Sequence, residues 1–117
     1  MSDVTTVSDA TTEFFESLRD RGHEPLLGRA NGTFRFELAN GEKPERWLVA
    51  VDKGDITVSR AARKADCTIY ADRALFNRIA AGEVNVWTAV LRGALAVEGD
   101  PELLVMFQRI LPEPRER

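Results

Sequence analysis

The chain has 117 residues, of which 44% are hydrophobic and 30% charged, and its net charge is −3. This composition excludes a disordered or fibrous protein, and apolar runs of at most five residues exclude a membrane-spanning helix, which needs roughly 20. Sixteen basic against nineteen acidic residues, without a basic stripe, argue against a nucleic-acid partner. We expect one domain over residues 1–117, with flexible termini at residues 1–6 and 113–117.

The first half of the chain predicts one helix and a three-stranded meander. Apolar residues recur at helical spacing over residues 7–18, and Ser8 or Asp9 can cap the start of this helix. Gly22 is placed to end it. Three later stretches lie between turn residues, and in them polar and apolar residues alternate or apolar residues follow one another. These stretches predict strands at residues 33–38, 46–52 and 55–59. Asn40-Gly41 and Lys53-Gly54 can form the turns between these strands, which makes the strands antiparallel neighbours.

The second half predicts a fourth strand, two helices, a fifth strand and a final helix. The strands cover residues 66–71 and 94–98, and the helices between them follow the capping residues Asp72 and Asn85. Because this helical crossover spans about twenty residues, we expect the two strands to lie parallel. Asp100, followed by proline, is a strong start for the last helix.

The alternation of polar and apolar residues along the strands predicts how the helices and the sheet are layered. Polar residues such as Thr33, Arg35 and Glu37 occupy one face of the predicted sheet, and apolar residues occupy the other. Helices should therefore cover one face only. The predicted fold class is α+β, a two-layer sandwich of a five-stranded mixed sheet with helices on one face.

Three stretches of the sequence carry a family resemblance. They are WLVAVDKG at residues 47–54, ADCTI at residues 65–69, and a Gly-Glu-x-Asn step at residues 82–85 that leads into Gly-x-Leu-x-Val-x-Gly-Asp at residues 93–100. In these stretches the chain resembles the sterol carrier protein 2 (SCP2) family, over about residues 33–111. The resemblance implies an SCP2-like fold with an apolar tunnel between helices and sheet that holds a sterol, a fatty acid or a fatty acyl-CoA.

The candidate ligand-binding residues are apolar and lie on the predicted helical stripes that face the sheet. A carrier needs only such a lining and an opening. The candidates are Phe14, Phe15, Leu18, Phe76, Ile79, Trp87, Val90, Leu91, Leu103, Phe107, Ile110 and Leu111. The same pattern fits a filled core. Truncation of Phe107 separates the two, since it should cost about 3 to 5 kcal/mol in a packed core and about 1 to 2 kcal/mol beside a cavity. We expect the smaller cost, together with a changed preference for ligand chain length.

A carboxylate or CoA ligand would also need a cation near the opening of the site. Arg60, Arg63 and Lys64 form a local basic cluster, Arg78 and Arg92 flank the predicted helical crossover, and Arg109 lies on the predicted last helix. Most charged side chains are solvated surface, and this is the more common role for these six as well.

The sequence offers little for catalysis or metal binding. His23 is the only histidine and has no second imidazole or thiolate nearby in the sequence. Cys67, the only cysteine, alternates inward with Ile69 and is expected to be a small buried hydrophobe. Neither the phosphate-loop nor the dinucleotide fingerprint occurs. We expect no enzyme activity, no cofactor and no metal site.

Two functions are compatible with these observations. The first is a lipid-binding or lipid-transport protein that works alone, and the second is a ligand-free accessory or dimerisation module of the same fold that acts with an enzyme. A single cysteine and N-terminal residues without a basic or apolar region favour a cytoplasmic location. Both functions allow a homodimer, and the first allows transient contact with membranes.

Overall fold

The computed structural model describes residues 10–25, 28, 31–61 and 63–111. The predicted flexible termini and the predicted helix caps Ser8 and Asp9 lie outside these residues. The order of the elements is the predicted one. In chain order they are α1 (Ala10–Arg21), β1 (Asn31–Ala39), β2 (Glu45–Asp52), β3 (Asp55–Ser59), β4 (Cys67–Asp72), α2 (Arg73–Ala80), α3 (Val86–Leu91), β5 (Leu95–Gly99), α4 (Pro101–Phe107) and a final 3₁₀ turn (Gln108–Ile110).

β1 is the central strand of a five-stranded mixed sheet with the order β3-β2-β1-β4-β5. β1, β2 and β3 form the predicted antiparallel meander, and β4 runs parallel to β1, with Phe34 beside Cys67. The hairpin between β2 and β3 turns on Lys53 and Gly54, whose φ angles of 53° and 91° belong to the left-handed region. Two such residues match the twist of the flanking strands.

β5 corrects one prediction, because it runs antiparallel to β4, with Leu95 beside Ala71. The parallel arrangement was predicted by treating the crossover as a single unit. Instead, α2 carries the chain away from the end of β4, and α3 brings it back to the same end. A single helix would have returned the chain to the opposite end of the sheet and produced parallel strands.

The helices pack on one face of the sheet, so the predicted two-layer sandwich is confirmed, and the core lies between the layers. Alternation along the strands sends every second side chain into this core. The buried apolar side chains that the sheet contributes to the core are Phe34, Phe36, Leu38, Trp47, Val49, Val51, Ile56, Val58, Cys67, Ile69, Ala71 and Leu95.

The polar face of the sheet is partly covered by the connection between β3 and β4. Leu48 lies on this face, between Arg35 and Ser59 in the neighbouring strands, yet it is only 1% exposed. Arg35 donates from Nη1 to the backbone carbonyl of Arg63 in that connection, at 3.3 Å. The main chain at Arg63 therefore lies against the polar face of the sheet, beside Arg35.

Local capping fixes where the helices begin and end. α1 ends at Arg21, just before the predicted stop at Gly22, whose φ is 70°. Asn85 accepts hydrogen bonds from two amides in the first turn of α3, at 2.8 and 3.3 Å. Asp100 accepts one from Glu102 at the start of α4, at 2.9 Å. Asp72 precedes α2 in extended conformation, but its side chain makes no capping hydrogen bond.

None of the helices in the described part of the chain is long and apolar enough to cross a bilayer.

Candidate functional site

The space between helices and sheet, where the resemblance implies a tunnel, is filled by aromatic rings. All six phenylalanines and Trp47 form one connected cluster. Phe36 at its centre lies 5.0 Å from the ring of Phe15, 5.5 Å from that of Phe76 and 5.2 Å from that of Phe107. Such centroid distances are those of favourable aromatic pairs. In this structure the interior is therefore a packed core.

An open groove of about 470 Å³ runs along the outer side of α1, between the C-terminal end of α2 and the final turn. We call it the α1 groove. Its volume falls within the range of roughly 300 to 1,000 Å³ seen for small-molecule sites. Three large apolar side chains, three alanines and three polar side chains line it, namely Phe14, Leu18, Ile110, Ala10, Ala80, Ala81, Glu13, Ser17 and Arg21.

Arg21 places a guanidinium at one end of the α1 groove. It donates from Nη1 to Glu24, whose side chain is largely buried, while the side chain of Arg21 is 44% exposed. A guanidinium has five N–H donors, so Arg21 can also donate to a second carboxylate at the rim. Glu13 lies eight residues earlier on α1, about 12 Å away along the helix axis. One end of the groove therefore holds a guanidinium that is paired with Glu24, and the other end holds the carboxylate of Glu13.

The sequence did not point to Arg21, and the basic residues considered from the sequence all lie elsewhere. Arg60 places its guanidinium 3.8 Å from the ring centroid of Trp47, a cation–π contact. Arg78 pairs with Glu83 at 3.5 Å. The others are exposed and do not line the α1 groove. Only the fold, which sets the end of α1 beside the groove, singles out Arg21.

Hydrogen bonds hold α1 in place at both of its ends. Near its start, the amide and the hydroxyl of Thr11 donate to Oδ1 of Asn77 in α2, at 3.0 and 3.2 Å. Just after its end, the amide of Ile56 in β3 donates to the carbonyl of Gly22, at 2.8 Å. The helix that forms one wall of the groove is thus fixed to both layers of the fold.

The structure places three of the twelve predicted site residues on the α1 groove: Phe14, Leu18 and Ile110. Trp87 and Val90 are half-buried against the core and do not line it. The remaining residues other than Leu91 are buried and also stay outside the groove lining. They are Phe15, Phe76, Ile79, Leu103, Phe107 and Leu111.

Leu91 is a correction, because it is 86% exposed and does not face the sheet. α3 buries Val86 and Ala89 instead. At 100° per residue, Leu91 lies about 140° around the helix from Val86, on the solvent side. A helix of six residues is too short for periodicity alone to fix its buried side.

A second groove, of about 700 Å³, lies where β1 and β4 end and β5 begins. It contains none of the twelve predicted residues, because its apolar lining is mostly small and forms no helical stripe. The residues that line it are Glu37, Ala39, Pro44, Tyr70, Ala71, Asp72, Leu75, Gly93, Ala94 and Ala96.

The reactive side chains are poorly placed for catalysis. His23 pairs with Asp55 at 2.8 Å, and both are exposed. Cys67 is fully buried, and this burial, followed by the charges of Asp100 and Asp66, raises its pKa from an ordinary 9.0 to about 11. A buried neutral thiol is a poor nucleophile. Within the described ranges, no three metal-ligating side chains lie together.

Comparison with known proteins gives a family. The sequence model of the SCP-2 sterol transfer family matches residues 12–112. Sterol carrier protein 2 of Bos taurus is 30% identical over 105 residues, which cover 87% of this chain and 19% of that protein. Hydroxysteroid dehydrogenase-like protein 2 of Xenopus laevis is 27% identical over 101 residues, which cover 85% of this chain and 24% of that protein. The chain thus spans less than a quarter of the length of these relatives.

Solved structures show the same fold. The solution structure of sterol carrier protein-2 from Aedes aegypti, in complex with palmitate, has a TM-score of 0.68 and 18% identity. The match covers 88% of this chain and 94% of that one. The resemblance found in the sequence is confirmed, because the family match spans most of the chain and the fold agrees with it. The chain belongs to the SCP-2 sterol transfer family.

Proposed function

We propose that the chain is a non-catalytic lipid-binding and lipid-transfer protein that holds a fatty acid, a fatty acyl-CoA or a sterol by its apolar part. The observation that carries the proposal is the α1 groove, which joins an apolar floor to a cation in a member of the SCP-2 family. The palmitate bound by the mosquito protein of the same fold supports a lipid as the ligand.

The energetics of such binding are adequate. Each methylene that leaves water contributes about 0.8 kcal/mol, so ten of them contribute roughly 8 kcal/mol before the cost of association is subtracted. Phe14, Leu18 and Ile110 would supply the first contacts. The buried residues of the predicted site would meet a ligand only where the aromatic interior opens.

Extraction of the purified protein followed by mass spectrometry tests the proposal directly. We expect a co-purified lipid, and calorimetry of the delipidated protein should give a micromolar or tighter Kd for palmitate, palmitoyl-CoA or cholesterol. Ser17→Trp fills the groove and should abolish binding. Glu16→Trp, on an exposed neighbour outside the groove lining, is the matched control and should leave it intact. Absence of both a retained lipid and any binding heat would refute the proposal.

A second candidate function is a ligand-free accessory or dimerisation module that acts with an enzyme. It is favoured by the relatives in which the matching segment is 19% and 24% of a longer protein, one of them a dehydrogenase-like protein. The packed aromatic interior is compatible with it. The same extraction and mass spectrometry separate the two functions, because a ligand-free module retains no lipid whereas a carrier does.

We propose a cytoplasmic location and transient membrane contact during lipid transfer. A fluorescent fusion followed by cell fractionation tests the location. Sedimentation with vesicles, in the presence and absence of palmitate, tests the membrane contact.

A further inference from the structure

We propose that Phe14 sets the length of the acyl chain that the α1 groove accepts, because its ring separates the groove from the aromatic interior. This inference rests on the proposed lipid-binding function, and it assigns that function a ligand class, straight-chain fatty acids of limited length.

The aromatic cluster contains seven side chains, and among them only Phe14 also lines the α1 groove. Its centroid lies 5.3 Å from that of Phe15, 6.2 Å from that of Phe76 and 5.8 Å from that of Phe107. The other side of the ring faces the groove, and the residue is half-buried. The ring of Phe14 therefore forms the wall between the space a ligand can reach and the interior.

Phe14 is also less enclosed than the rings behind it. Its side chain is half-buried, whereas Phe15, Phe76 and Phe107 are at most 1% exposed. Its three ring contacts are all edge-on, at interplanar angles between 65° and 89°, and they lie on the inner side of the ring. A phenylalanine in a helix has two accessible χ1 positions, so the ring can turn while the backbone stays in place.

The backbone of α1 does stay in place, since Thr11 and Gly22 anchor it at both ends. A chain longer than the groove therefore cannot be accommodated by lifting the helix. The side chain of Phe14 is what such a chain meets.

The charges at the rim decide which end of a fatty acid meets Phe14. A carboxylate is attracted by Arg21 and repelled by Glu13 at the other end of the groove. Phe14 lies seven residues before Arg21 on α1, about 10 Å along the helix axis. With its carboxylate at Arg21, the acid extends its tail along Leu18 toward Phe14, and the ring stops it there.

Calorimetry of the delipidated protein tests the assignment with a series of fatty acids, namely butanoic, hexanoic, octanoic, lauric, palmitic and stearic acids. In the wild type, Kd should tighten by about fourfold per added methylene up to a limiting length and then level off. In Phe14→Ala the interior becomes available, so Kd should go on tightening for chains beyond that length. Phe14→Trp should shift the limit to shorter chains.

Ile110→Ala is the matched control, because Ile110 lines the groove and belongs to no ring pair of the cluster. It should weaken the binding of all acids by a similar factor and leave the limiting length unchanged. Should Phe14→Ala fail to fold, Phe14→Leu removes less volume and should show the same lengthening to a smaller extent.

Two negative outcomes are distinguishable. If the wild type binds none of the acids, the proposed lipid-binding function fails, and this inference fails with it. If the wild type binds them but the limiting length is the same in the wild type and in every folded Phe14 variant, the inference alone is overturned. A wild-type affinity that rises without a limit through stearic acid overturns it as well.

Discussion

Phe107→Ala distinguishes a packed interior from a tunnel beside the final helix. The side chain of Phe107 is 1% exposed, and its ring lies 5.1 Å from that of Phe34, 5.2 Å from that of Phe36 and 5.8 Å from that of Phe14. These contacts surround the ring with side chains that cannot fully collapse into the space it leaves. The expected loss of unfolding free energy is therefore about 3 to 5 kcal/mol. The sequence led us to expect about 1 to 2 kcal/mol, the value for a residue beside a cavity, and the packing of this ring in the structure replaces that expectation.

Urea denaturation measures this loss. A slope of about 2 kcal/mol per molar converts it into a midpoint lower by roughly 2 M, with the slope itself unchanged. Val105→Ala, on the exposed side of the same helix at 41% exposure, is the control and should change stability by no more than about 0.5 kcal/mol. A loss of only about 1 to 2 kcal/mol for Phe107→Ala would refute the packed interior, because it would mean that Phe107 already borders empty space.

Three further predictions follow from single residues. Asp100→Ala should lower the free energy of unfolding by about 0.5 to 2 kcal/mol, measured by thermal or urea unfolding. Asp72→Ala removes no capping hydrogen bond and should lower it by less, so equal losses would contradict the cap assignment. The raised pKa of Cys67, about 11 against 9.0, stabilises the fold below pH 9, and this contribution is lost as the pH rises toward 11. Between pH 9 and 11, Cys67→Ala should therefore lose less stability than the wild type, as measured by urea unfolding at a series of pH values. If the stability of both proteins fell in parallel with pH, the burial of the thiol would be contradicted. Leu91→Ala should change the unfolding free energy by less than about 0.5 kcal/mol, whereas a loss above about 2 kcal/mol would place Leu91 in the core.

The features that the sequence predicted correctly are those that neighbouring residues determine. The alternation of β1, the turn at Lys53 and Gly54 and the caps at Asn85 and Asp100 each depend on a few adjacent side chains. The direction of β5 depends on where two helices return the chain, which no short stretch encodes. This is why the antiparallel pairing of β4 with β5 was predicted wrongly.

The candidate site was harder to predict because periodicity reports only that a side chain faces inward. It does not tell whether the rings of Phe15, Phe36 and Phe76 leave a space between them or meet one another, as they do here. Arg21 and the alanines of the α1 groove carry no pattern of their own. They become a site only through the packing of α1 against α2 and the final turn.

The walls of the α1 groove come from opposite ends of the chain, since Phe14 lies in the first helix and Ile110 in the last turn. A groove assembled in this way does not exist in any partly folded form that lacks either end. A ligand that occupies it therefore binds only the fully folded molecule, and it opposes complete unfolding as well as any local opening that releases α1 or the final turn. At a ligand concentration of about 100 times Kd, the stabilisation is about 2.7 kcal/mol, and hydrogen exchange of the most protected amides in β1 and β4 should slow about a hundredfold.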